Sequence, residues 1–359
     1  MHIFYTSSYD ASVYLQQPEQ NAGRDEILEV GKLYYGAGGS DNKDIARTFI
    51  KFDVSNLETG SGWKAYLNFK SANSEEIPLE YTIYANAVSQ NWIMGTGTKF
   101  DNITSDGVSW YYRDGSSKWQ DLTGSYSLGE DTGSISNGGG GTWYTASMAS
   151  QSFNNEPDDI RMDVTDIINL WLSGSLLNNG FVIHHSLDAE NDSLDYGVLK
   201  FFSKETNTIY QPKLEIVWDD SVFNTGSLSP ITGSNNSDAL ENSKIIVTNL
   251  QKEYFNNTKT KVRVKGRDLY PSKSFGTTFE YDQSKYLPTS SYYQIEDYRT
   301  NEIVVPFGQY SKLSCDSKSN YFYLDTNTYP INRTYRLKIK VEVSGVSKII
   351  DDKLIFDVI

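Results

Sequence analysis

Short runs in which apolar and polar residues alternate recur along the first 90 positions. Ala11, Val13 and Leu15 share one face, and Ile27-Leu28-Glu29-Val30-Gly31 and Thr48-Phe49-Ile50-Lys51-Phe52-Asp53-Val54 follow. Ala65-Tyr66-Leu67-Asn68-Phe69 and Leu79-Glu80-Tyr81-Thr82-Ile83-Tyr84-Ala85 continue the series, with Gly60-Ser61-Gly62 and the polar stretch from Ser71 to Glu76 as breaks. A period of two, interrupted by turn residues at this spacing, predicts half-buried strands of a sandwich or barrel. One stretch changes period. Ile167, Ile168 and Trp171 fall on a single helical face, Asp163 or Thr165 can cap it, and Gly174 closes it. Strand patterning then returns at Gly180 to His185, Leu199 to Ser203 and Pro212 to Trp218.

From Asp219 to Ser243 the chain turns to Gly, Ser, Asn, Thr and Pro, which predicts a linker or a long ordered connection. A second alternating series follows. Val262 and Val264 lie opposite Arg263 and Lys265, Ile303-Val304-Val305 is a short apolar run, and Leu337, Ile339, Val341 and Val343 oppose Arg336, Lys338, Lys340 and Glu342. The predicted organisation is residues 1–220, a linker at 221–243, and residues 244–359. The last part has the strand density of an immunoglobulin-like sandwich without its cysteine pair or core tryptophan.

Charge sharpens that division. Residues 1–220 carry 14 Lys and Arg against 31 Asp and Glu, the remainder 18 against 15, and all seven Trp lie before position 221. An acidic first part repels nucleic-acid phosphates, and the surplus of three positive charges in the second, with no basic cluster, does not offset this. Cys315 is the single cysteine, so neither an intrachain disulfide nor a thiolate metal cage can form. No window has the length and apolarity of a membrane span, and the N-terminus has neither a basic nor an apolar leader segment, so synthesis in a cytoplasm without export is expected.

Several segments, in order, resemble the DNRLRE domain, also described as a jelly-roll carbohydrate-binding module. Asp10-Ala11-Ser12-Val13-Tyr14, Phe49-Ile50-Lys51-Phe52-Asp53-Val54-Ser55 and Gly107-Val108-Ser109-Trp110 are similar to its early elements. Its closing pattern resembles the run Met162 to Gly174, then Asn179-Gly180-Phe181, Phe202-Ser203-Lys204-Glu205 and Gln211-Pro212-Lys213-Leu214. The resemblance covers residues 1 to about 218 and implies a jelly-roll-like β-sandwich with one short helix. It also implies a module of secreted bacterial or tailed-phage virion proteins. Tyr286 to Tyr293 and Lys312 to Asp316 look like segments of structural proteins of T4-like tailed phages. The expectation is therefore an all-β, non-enzymatic virion protein of a tail, neck or baseplate, with other virion proteins and further copies of itself as partners. The alternative is adhesion to a host-surface polysaccharide.

Candidate chemistry is sparse. His184 and His185 are adjacent in a strand and point to opposite faces, so they cannot chelate one metal together. Gly138-Gly139-Gly140-Gly141 lacks the Lys-Ser/Thr of a phosphate loop and reads as a loose surface loop. Asp188-Ala189-Glu190-Asn191-Asp192 and Asp41-Asn42-Lys43-Asp44 offer oxygens to a structural calcium of the kind jelly-roll modules carry, but neither has EF-hand spacing, and solvated acidic turns are the preferred reading. No other cofactor is implied. Trp92, Trp110, Trp119 and Trp143, with Tyr111 and Tyr112, are the candidates for stacking on sugar rings or for a subunit interface, against the simpler role of filling the core. The charge asymmetry also suggests head-to-tail assembly of acidic and near-neutral faces.

Overall fold

The computed structural model describes residues 1–36, 43–72, 79–119, 139–154, 158–231, 236–270, 284–327, 329–343 and 345–359. The protein is nearly all β, an all-β sandwich fold. It divides into two compact units. The first unit comprises Tyr5–Leu57 and Lys64–Glu215; the second comprises Met1–Phe4, Glu58–Trp63 and Ile216–Ile359.

The strands up to Val217 are β1 (His2–Thr6), β2 (Tyr9–Tyr14), β3 (Ile27–Tyr34), β4 (Lys43–Lys51), β5 (Lys64–Phe69), β6 (Tyr81–Val88), β7 (Trp143–Phe153), β8 (Ile160–Asp163), β9 (Phe181–His185), β10 (Gly197–Phe202) and β11 (Lys213–Val217). Helix α1 (Thr165–Leu172) precedes β9 and α2 (Leu187–Asn191) follows it. One sheet has the order β1-β11-β5-β8, the other β10-β3-β4-β9-β6-β7 with β2 paired to β4. The expected strands form where the alternation places them. In β5 the apolar Ala65, Leu67 and Phe69 are buried while Lys64, Tyr66 and Asn68 are half-buried. Strand β9 is buried along its whole length, as a central strand covered on both faces must be. His184 and His185 do face opposite ways, and both are inside.

Helix α1 forms as its period predicts, with Ile167, Ile168 and Trp171 buried. The N-cap position is Val164, and Asp163 supports it from one residue earlier by accepting the Thr165 backbone N–H at 3.0 Å. The expectation of a single helix needs correction. Helix α2 forms within the segment read as an acidic turn, because the Ser186 hydroxyl caps it by accepting the Ala189 N–H at 3.1 Å. A third helix, α3 (Asn236–Glu241), lies in the stretch read as a linker.

The strands of the second unit are β12 (Ser229–Pro230), β13 (Ser243–Thr248), β14 (Glu253–Tyr254), β15 (Lys259–Asp268), β16 (Lys285–Tyr286), β17 (Ser291–Asp297), β18 (Ile303–Val305), β19 (Ser314–Cys315), β20 (Asn320–Asp325), β21 (Arg333–Val343) and β22 (Val346–Val358). They form one sheet of order β12-β16-β15-β20-β19, with β13 on β15, and another of order β14-β22-β21-β17-β18. Between them lies an apolar core that includes Val262, Val264, Tyr293, Phe322, Leu337 and Ile339, with Tyr293 stacked on Phe322 at 4.2 Å. The stretch before β13 is pinned at several points: Cys315 N–H donates to Val222 O and Ile231 N–H to Tyr286 O. Residues 232–235 lie outside the described residues.

Strand β15 carries more charge than its apolar pair suggested. Lys259, Lys261, Arg263, Lys265 and Arg267 recur at every second residue, so all five project from the face opposite Val262 and Val264. A basic cluster therefore does exist in the second unit.

Candidate functional site

The four candidate tryptophans come together, but inside the first unit. Trp92, Trp110, Trp119 and Trp143 are each at most 4% exposed and belong to one core cluster with Ala11, Val13 and Phe49. Phe49 organises it, stacked on Trp119 at 5.2 Å and edge-on to Trp92 at 5.7 Å. The indole N–H groups of two of them are satisfied within the protein: Trp92 Nε1 donates to Asn179 O at 2.8 Å and Trp119 Nε1 to Ser109 O at 3.2 Å. No face is left for a sugar ring on these four. Only Tyr111 and Tyr112 of the candidate set remain half-buried at the surface, edge to face at 6.4 Å.

The organising charge of this cluster was not visible in the sequence. Arg47 on β4 is buried, with its guanidinium 4.7 Å from the Trp110 ring and 5.0 Å from the Trp143 ring. Arg47 Nε donates to Glu190 Oε1 at 3.0 Å, its Nη2 donates to Glu190 Oε2, and its Nη1 donates to the carbonyls of Gly139 and Gly140 at 3.1 and 3.0 Å. Glu190, on α2, is 2% exposed. A guanidinium meeting a carboxylate with both prongs, two carbonyls and two indole faces has its donors satisfied without water.

The glycine run is therefore no loose surface loop over Gly139 to Gly141, which are buried; Gly138 lies outside the described residues. Gly140 and Gly141 have φ of +75° and +106°, and a Cβ at Gly141 would lie 2.4 Å from Phe49 Cζ. Glycine is required because the backbone must approach Arg47 and Phe49 closely in a conformation other residues avoid.

A second buried cation holds the other end of α2. Lys32 is 0% exposed, its Nζ donates to the carbonyls of Ala189 and Asp192 and to the Asp192 carboxylate, and it lies 5.4 Å from the Tyr196 ring. Glu190 and Asp192 are thus engaged by cations and do not fit a calcium site. Asp41 and Asn42 lie outside the described residues. Among the described residues no group of three or more His, Cys, Asp or Glu side chains is placed to hold a metal.

Burial acts on both histidines. It holds His184 down to about 3, with Arg47 adding to the effect, and His185 down to about 4. His184 Nε2 pairs with Asn86 Oδ1 at 3.1 Å, whereas neither ring nitrogen of His185 has a hydrogen-bond partner among the described residues; that ring packs 4.7 Å from Tyr81 and 5.4 Å from Tyr196. Both are neutral members of the core.

The surface of the first unit has two clefts that share Lys99, each about 360 Å³. Gln16, Gln17, Glu19, Asp101, Ile103 and Tyr111 line one. Tyr14, Glu29, Asp44, Phe100, Val198 and Lys200 line the other. Lys99 Nζ donates to Glu29 Oε2 at 2.6 Å and sits 4.1 Å from the Tyr14 ring centre, while its backbone N–H is shared between both Asp25 oxygens at 3.1 Å. Burial raises the carboxyls of Asp25 and Asp44, and the neighbouring Glu29 charge raises both further. Acid groups here outnumber cations. The Tyr14 hydroxyl has no hydrogen-bond partner among the described residues, although the side chain is 1% exposed. Amide groups, carboxylates, two lysines and three aromatic residues equip these clefts to bind hydroxyl or ammonium groups by hydrogen bonding.

The class of the protein is thus an all-β, two-unit chain whose first unit closes around buried ion pairs. No protein-family model matches the chain, and no curated protein matches it.

Proposed function

We propose that the chain is a non-enzymatic structural protein of a tailed-phage particle, in which both units serve as rigid docking bodies. The observation that supports this most is the use made of the first unit's reactive side chains. Arg47, Glu190, Lys32, both adjacent histidines and four tryptophans are neutralised, stacked or hydrogen-bonded within the interior, where they make a stiff body. The particle is supplied by the sequence resemblance. Quantitative mass spectrometry of purified particles should find the chain at a fixed ratio to known tail or neck components; its absence from intact particles overturns the reading.

A second reading, attachment to a surface polysaccharide, is favoured by the clefts beside Lys99, where Tyr111 and the glutamine amides line the opening. Titration of a glycan panel followed by NMR should then move resonances of Tyr111 and Lys99, and Tyr111→Ala should abolish the response. A panel that moves neither removes this reading.

A further inference from the structure

We propose that the outer face of β13, β15 and β20 docks on the acidic rim around Lys99 of a second copy of this chain, so that copies associate head to tail.

The register of the second unit sets the basic face. Lys244 opposes Arg267, Ile246 opposes Lys265, and Thr248 opposes Arg263 across β13 and β15. On the other side, Tyr321 opposes Arg263, Tyr323 opposes Lys261, and Asp325 opposes Lys259. Antiparallel partners project to the same side of a sheet, so these side chains form one surface with cations about 7 Å apart along β15. Part of the charge is answered locally. Asp316 takes both Arg263 and Lys261 at 2.9 to 3.0 Å, and Lys259 lies 3.7 Å from Asp325. Lys244 and Lys265 have no acidic partner among the described residues and Lys244 is exposed, while Tyr323, opposite Lys261 on the other side of β15, is 39% exposed.

The complement is on the first unit. Its residues carry 14 Lys and Arg against 28 Asp and Glu, whereas those of the second carry 18 of each. Among the described residues that line the Lys99 clefts, Glu19, Glu29, Asp44 and Asp101 outnumber Lys99 and Lys200, and burial, with the Glu29 charge adding to it, raises the carboxyls of Asp44 and of the adjoining Asp25. Two large apolar side chains stand out of the same rim, Phe100 at 87% and Ile103 at 74% exposed. A rim of carboxylates with apolar tips fits a face of ammonium groups interleaved with tyrosine rings, through ion pairs, cation–π contacts and apolar burial. Net charge of the same sign on two copies does not prevent this. At physiological ionic strength it is screened beyond about 8 Å, while facing pairs act inside that range. Because the two surfaces differ, the contact is heterologous and propagates into a ring or a filament rather than stopping at a two-fold dimer. The inference does not depend on the phage reading.

Sedimentation velocity of the full chain, from micromolar to submillimolar concentration near physiological ionic strength, reads the association. The wild type should self-associate with increasing concentration and dissociate in high salt. Lys244→Glu with Lys265→Glu, and separately Glu19→Lys with Asp101→Lys, should each weaken association by more than about tenfold. Mixing those two variants should restore it, since each then meets an oppositely charged surface. Thermal melts check that both variants fold; should either melt early, Lys244→Ala with Lys265→Ala should still weaken association in the same direction. A wild type that stays monomeric overturns the proposal, as does a mixture no more associated than its components. Capture of the monomeric wild type on polyuronate beads through Lys244 and Lys265, without self-association, also overturns it and assigns the face to an anionic polymer.

Discussion

In the first unit Arg47 and Glu190 meet inside the protein, between two indole rings and at the end of a glycine run. In the second, Arg263 and Lys261 meet Asp316 on the outer face of β15, while the core beneath is apolar. Among the described residues of the second unit, partly internal pairs join Arg333 to the buried Asp297 and Lys338 to the buried Glu296, each with the cation still reaching solvent. The same residue types therefore have different consequences. Inside, a charge stripped of water depends wholly on its partner, and removing that partner leaves a full desolvation cost. Outside, water takes over when a partner leaves, and the pair steers or orients more than it stabilises. The first unit is built for one fixed shape; the second keeps its charge available to other molecules.

The largest effect expected from this contrast follows Glu190→Gln. Arg47 would keep its charge in the core without a carboxylate, and the first unit should lose about 3–5 kcal/mol. Urea denaturation followed by tryptophan fluorescence measures this, since five of the seven Trp belong to that unit. A loss below about 1 kcal/mol would place the pair with the surface pairs of the second unit. Gly141→Ala comes next: with φ of +106° and Phe49 Cζ 2.4 Å from the new Cβ, a loss of about 1–3 kcal/mol is expected in the same assay.

Acid should divide the units as well. An unfolded histidine takes a proton near pH 6.5, but His184 and His185 in the fold refuse it until about 3 and about 4. Their contribution is present above pH 6.5 and is lost as the pH falls through that window. Asp10 opposes them. Burial pushes its carboxyl up to about 7, so its contribution is present below pH 3.8 and lost as the pH rises toward 7. His185→Phe should leave stability unchanged or higher at about pH 7.5, because neither ring nitrogen has a hydrogen-bond partner among the described residues, and should flatten the decline between about pH 6.5 and 4.5 by about one proton. Asp10→Asn should steepen the same decline. Denaturation midpoints at a series of pH values test both, and an unchanged slope in His185→Phe would contradict the burial account. The smallest effect is expected from Lys261→Ala on β15, under about 1 kcal/mol in the second unit's unfolding transition.

The strands of both units were legible because a period of two survives wherever one face is buried. Ala65, Leu67 and Phe69, or Leu337, Ile339 and Val341, announce themselves. Strand β22 was missed for a physical reason. Leu337 pairs with Leu354 and Ile339 with Ile350, so Asp351, Asp352 and Lys353 oppose the single Lys338 in a bulge, with φ of +54° at Lys353. The bulge breaks the alternation and blunts the strand's edge. The interior of the first unit was half legible. Its tryptophans were recognised as core candidates, but Arg47 and Glu190 lie 143 positions apart, and a glutamate in Asp-Ala-Glu-Asn-Asp reads as solvated until β4 is brought beside it. The glycine run misled for the same reason, since what fills the space around it comes from Trp110, Arg47 and Phe49.

A double-mutant cycle on Arg47→Met and Glu190→Leu, read by urea denaturation of the first unit, bears most directly on the claim that its charged residues serve as internal support. Each single change should cost about 3–5 kcal/mol, and the double change should cost less than their sum by at least about 2 kcal/mol, because removing both charges removes the orphan. Additive losses, or single losses no larger than those of a surface pair, would contradict it.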